Sequence, residues 1–114
     1  MSVKLTTRQV GEVTVVDAAG RITLGEGAST FRDTLRDLAG GGKKKLLLNL
    51  AEVSYIDSSG IGEMVSGFTT VTNAGGQVKL LNLTKRVKDL LQITKLYTVF
   101  EVFDDEAAAV RSFT

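Results

Sequence analysis

Residues 43–50, KKKLLLNL, carry the feature that restricts the fold most. Leu46, Leu47, Leu48 and Leu50 make an apolar run too short for an ordinary helix, and three consecutive apolar residues leave a strand no polar face. Such a run reads as a strand buried on both sides, the habit of a parallel sheet covered by helices. Helical patterns flank it. Ala28, Phe31, Leu35 and Leu38 recur at helical spacing before the run, with Arg32, Asp33, Arg36 and Asp37 turned away. After it, Ile61, Met64, Val65, Phe68 and Val71 mark a second helical stripe.

The rest of the chain continues the alternation. Residues 3–7 and 12–18 read as two strands with Gly11 between them, which predicts an antiparallel hairpin. GRITLGEG, residues 20–27, breaks the pattern with three glycines. The first helix is expected to stop at Gly40, Gly41 and Gly42, where left-handed backbone carries no side-chain penalty. NAGG at 73–76 stops the second helix, and residues 78–81 read as another strand. Thr84 is a candidate N-cap for a third helix carrying Val87, Leu90 and Leu91. A last strand is expected near 99–103, with Asp104 capping a terminal helix through Val110. The predicted fold is α/β: one domain over residues 1–114, with a mixed, mainly parallel sheet of about five strands and about four helices, starting with an antiparallel strand pair. A length of 114 residues with 43% hydrophobic content suits one such core.

Composition removes most catalytic options. The chain has no Cys and no His, which excludes disulfides, thiolate chemistry, the usual zinc sites and any Ser-His-Asp or Cys-His machinery. Acid–base work would fall to carboxylates or lysines with strongly shifted pKa values. A formal charge of +1 gives no footprint for nucleic acid. No stretch approaches the ~18 apolar residues of a membrane span. The start, MSVKLTTRQV, has no apolar core of a signal peptide, so a cytoplasmic protein is expected.

Several motifs invite sharper readings. Lys43, Lys44 and Lys45 after GGG suggest a phosphate loop, but the glycines precede the strand, whereas a Walker loop follows one. A solubilising charge run is the simpler reading. Residues 60–67, GIGEMVSG, begin like a dinucleotide fingerprint, yet Val65 stands where its third glycine should be. Asp57 with Glu63, and Asp104 with Asp105 and Glu106, could be carboxylate or metal sites; helix capping and first-turn acids explain them more simply. No cofactor and no metal are therefore expected.

Ser58 and Ser59 fall where a strand end gives way to a helix start, the edge at which α/β sheets place function. The structural reading is that Asp57 or Ser58 caps the helix while Gly60 and Gly62 permit a close turn. Against it stand three cap candidates in a row and two glycines that each cost roughly 1 kcal/mol in a helix. Glycines here make better sense if something must approach the backbone closely. A serine without a base is a poor nucleophile, but as a phosphoacceptor it needs none, because the kinase brings it. A helix N-terminus also suits the added charge.

Five segments in order carry a family resemblance: the first strand pair, the G-x-I at 20–22, LLLNLAEVSYIDSSGIGEM, GGQVKLLNL and VKDLLQITKLYTVFEVFDDEAAAV. With its D-S-S-G-I-G motif, the chain resembles the STAS-domain anti-sigma factor antagonists of bacteria. That resemblance implies a non-enzymatic partner-switching regulator. Unphosphorylated, it would bind an anti-sigma factor that is also a serine kinase, releasing a sigma factor; phosphorylation, here at Ser58, would end binding, and a phosphatase would restore it. Asp57 would shape the site, Ser59 would flank it, and Gly60 and Gly62 would let the partner's nucleotide approach. The resemblance leaves no direct contact with nucleic acid or membrane, and implies a monomer when free. Thr23 stands where many members carry an acid that contributes to partner contact, and Arg21 likewise stands where an acid is common. A member serving a different kinase is compatible with these departures. So is a scaffold or assembly subunit of a stressosome-like or lipid-transport complex.

Overall fold

The computed structural model describes residues 3–113; residues 1, 2 and 114 of the expected domain lie outside it. The elements run β1 (Val3–Val10), β2 (Val13–Ile22), α1 (Glu26–Gly40), β3 (Lys45–Ile56), α2 (Ser58–Asn73), β4 (Gln77–Leu81), α3 (Lys85–Ile93), β5 (Val102–Phe103) and α4 (Glu106–Ser112). The five strands lie side by side in chain order, β1 antiparallel to β2 and the others parallel. This is the mixed α/β sheet that the leucine run predicts.

The leucines also divide as expected of a strand buried on both faces. Leu46, Leu48 and Leu50 pack with Phe31, Leu35, Met64, Val71, Val87 and Leu91 under α1, α2 and α3. Leu47 joins Val13, Val15 and Leu81 on the opposite face, where Ala109 and Phe113 cover them. This second core is small and holds one buried cation. Lys79 Nζ donates to the Ser112 carbonyl at 3.0 Å and hydroxyl at 2.9 Å, lying 4.8 Å from the centre of the Phe113 ring. A lysine can be buried here because it finds acceptors and an aromatic face.

Four local expectations need correction. β1 runs on to Val10, because all eight of its residues find partners on β2. β2 continues through Gly20 to Ile22, since parallel pairing with β3 outweighs the glycine. The last strand shrinks from 99–103 to Val102–Phe103, and residues 96–98 instead form a 3₁₀ turn. Asp105, not Asp104, caps α4, accepting the Ala108 N–H at 2.9 Å. By contrast, Thr84 accepts the Val87 N–H as an N-cap should. The GGG segment does end α1, with Gly42 in the left-handed region at φ 84°.

Candidate functional site

The C-terminal edge of the sheet is set by two register shifts between β2 and β3. Asp17 pairs with Asn49, but Ala19 pairs with Glu52 and Arg21 with Tyr55. Each shift inserts an extra residue in β3 and twists the strand locally. The result carries β3 seven residues beyond Asn49, where β4 pairing ends, and brings Ile56 opposite Ile22. The chain after β2 and the chain after β3 therefore leave the sheet together.

Asp57 fastens these two exits. One carboxylate oxygen accepts the Gly60 N–H at 2.9 Å, capping α2; the other accepts the Leu24 N–H at 3.0 Å, from the loop before α1. Its own N–H reaches the Ile22 carbonyl at 3.3 Å. Burial works to raise the Asp57 pKa, but the N–H groups of Leu24, Gly60 and Ser59 outweigh it and hold the carboxyl below its ordinary range. Asp57 is thus ionised near neutral pH, with both oxygens occupied. It is poorly suited to take a proton from a neighbouring serine.

Of the candidate caps, then, only Asp57 is used. Ser58 is the first residue of α2, exposed, and its hydroxyl makes no hydrogen bond to the described residues; Ser59 is half-buried. Thr23 is also half-buried and belongs to the loop that Asp57 holds, its carbonyl accepting the Ala28 N–H at 2.9 Å. The two glycines separate sharply. A Cβ on Gly60 would collide with the Ile22 carbonyl oxygen and lie 2.7 Å from Ile56 Cγ1, whereas one on Gly62 would meet nothing within 4 Å. The backbone that approaches Gly60 is the chain's own β2. The reading that Gly60 makes room for a partner is therefore unnecessary, while Gly62 is exposed on the helix surface.

Sequence reasoning missed three residues on this edge. Leu24 is 79% exposed beside Asp57, and nothing in the GRITLGEG pattern marks it. Tyr55 and Arg86 were not singled out either. The Arg21 and Arg86 guanidinium carbons lie 5.1 and 4.3 Å from the centre of the Tyr55 ring. The aromatic residue before the motif was the one available signal.

Other candidate residues are engaged elsewhere. Glu63 pairs with Arg32 across α1 and α2 at 3.7 Å, and Glu106 with Arg8 at 2.6 Å. Lys44 Nζ donates to the Ala74 carbonyl and Lys45 pairs with Glu12, so two of the three lysines tie the start of β3 to the end of α2 and to the turn between β1 and β2. Among the described residues no helix is long and apolar enough to cross a membrane.

Comparison with known proteins agrees with this architecture. The STAS domain family model matches residues 4–109. The anti-sigma-B factor antagonist of Bacillus subtilis is 34% identical over 102 residues, which span 90% of this chain and 92% of that protein. An anti-sigma factor antagonist from Mycobacterium paratuberculosis superposes with a TM-score of 0.87 at 15% identity, covering 98% of this chain and 94% of the other. The Bacillus cell fate determinant SpoIIAA in its phosphorylated form gives 0.75 at 19% identity, covering 96% and 98%. At these identities the two structures establish likeness of fold alone. The chain belongs to the STAS domain family.

Proposed function

From this membership we propose that the protein is an anti-sigma factor antagonist switched by phosphorylation of Ser58. Unphosphorylated, it binds an anti-sigma factor serine kinase and so frees a sigma factor; phosphorylated, it lets go, and a phosphatase restores it. The protein performs no catalysis of its own. The observation that carries the reading is the division of labour at the α2 start: Asp57 does all the capping, leaving the Ser58 hydroxyl exposed and without a structural task. Relatives named anti-sigma factor antagonists support the same partner class.

The chemistry is undemanding for this chain. The kinase supplies the base and nucleotide; this protein supplies an accessible Oγ held on a rigid helix start. The product would carry about −1.5 to −2 charges at a helix N-terminus, where unpaired N–H groups tolerate them. The fold therefore stays intact while the charge of the docking edge becomes more negative.

The test is incubation with ATP and a cognate anti-sigma kinase, followed by mass measurement and binding assays. One added phosphate is expected on the wild type and none on Ser58→Ala, which should still bind. Ser58→Asp should lose binding by at least about tenfold (about 1.4 kcal/mol) with an unchanged circular dichroism spectrum. Phosphate retained on Ser58→Ala moves the site to Ser59. A large assembly on size exclusion with no phosphate gained favours the scaffold alternative.

A further inference from the structure

We infer that Arg21, Tyr55 and Arg86 form a docking site for carboxylate side chains of the partner protein, on the same edge as Ser58. The partner's identity rests on the function proposed above; the chemistry of the site rests on the three residues themselves.

Two guanidiniums lie over one tyrosine ring. Their separation cannot exceed the sum of their ring distances, under about 10 Å, or roughly one Debye length at 0.1 M salt. Like charges this close repel, and the ring offsets only part of that repulsion. Among the described residues neither arginine has a carboxylate within salt-bridge distance. Two acids of the adjoining segments are committed: both Asp57 oxygens accept backbone N–H groups, and Asp89 of α3 pairs with Lys85 at 2.8 Å. Glu52 of β3 is exposed and forms no ion pair with the described residues.

The position of Arg86 strengthens the inference. It stands in the first turn of α3, which contains no acid, so the cation faces the positive end of the helix dipole. An arriving carboxylate would relieve both the repulsion and this unfavourable placement. Stacking on Tyr55 holds the planar forks in place, which lowers the entropy lost on binding. Leu24, exposed on the same edge, offers the partner an apolar contact.

This arrangement also suggests why a phosphate ends binding. Ser58 follows Tyr55 by three residues, a reach of at most about 11 Å along extended chain. A phosphate there competes with the partner's carboxylates for the same guanidiniums.

The test uses this chain and an acetylated hexaglutamate peptide, titrated in about 50 mM salt and followed by 15N and aromatic NMR. Shifts should centre on the Arg21 and Arg86 Nε–H groups and the Tyr55 ring, and fade in about 300 mM salt. The Arg21→Gln/Arg86→Gln protein should bind at least about tenfold more weakly, and Ser58→Asp several-fold more weakly. Shifts centred on Lys43–Lys45, no binding by wild type, or unchanged affinity of the double variant would each overturn the proposal. No kinase or ATP is involved, so a failed phosphorylation experiment would count against the proposed function and leave this result standing.

Discussion

Arg8 and the pair Arg21 and Arg86 show two uses of arginine in one small sheet. Arg8 is held by two carboxylates, Asp17 at 2.7 Å and Glu106 at 2.6 Å, so it ties β1 and β2 to α4. The hydrogen bonds it donates to Glu106 and then to Asp17 raise its pKa, and in turn Arg8 holds both acids below their ordinary range. Among the described residues, Arg21 and Arg86 have a ring and no acid. The paired arginine joins two strands to a helix, whereas the two over Tyr55 join nothing by an ion pair among the described residues. The glycines repeat the contrast, Gly60 being closed in by β2 and Gly62 open.

The largest expected effect breaks the closed half of that comparison. Gly60→Ala forces a methyl against the Ile22 carbonyl, with no flexible group to yield, and should cost about 2–3 kcal/mol in urea denaturation. Gly62→Ala should leave stability unchanged or raise it by up to about 1 kcal/mol. A gain in both would mean that the chain at Ile22 gives way and that helix propensity alone governs the two positions.

Next comes Asp57→Ala, which removes the acceptor of two backbone N–H groups and should cost about 1–2 kcal/mol. Its pH dependence has a definite sign. Because the folded pKa is depressed, the contribution is complete above the unfolded value of about 4 and disappears as pH falls through the lowered folded value. The gap between wild type and Asp57→Ala should therefore hold from neutral pH to about pH 4 and narrow below it. A constant gap would assign the loss to packing instead of the ionised carboxylate.

Smaller still is Arg8→Gln, at about 1 kcal/mol or less, because the arginine is 41% exposed and solvent screens its pairs. The loss should shrink in high salt. Smallest is the stability change of Arg21→Gln/Arg86→Gln, within about 0.5 kcal/mol, since no carboxylate is left behind. If that double variant were less stable than Arg8→Gln, the arginines on Tyr55 would be structural and the contrast would fail.

Much of the fold was legible because burial leaves a periodic trace. The two-sided leucine run, the helical stripes and the Thr84 cap are local patterns, and each reappears in the structure. What failed was the reach of the first two strands and the end of the chain. Residues 99–103 look like a strand by composition, yet the edge strand finds only a two-residue pairing with β4, so the tertiary sheet shortens it. Likewise Asp104 and Asp105 are equivalent in sequence, and the geometry of the turn selects one.

At the site, the sequence by itself determined that a D-S-S-G segment joins a buried strand to a helix, and that no His or Cys could make it catalytic. Tertiary structure decided everything that depends on β2 meeting β3: Asp57 as the working cap, Leu24 held 33 residues away, Gly60 closed by Ile22, and Arg21 set against Tyr55. The reason is that hydrophobic period is written residue by residue, whereas strand register is not. Two register shifts in the pairing of β2 and β3 set which groups face each other, and a single stretch of chain carries no record of its neighbour's register.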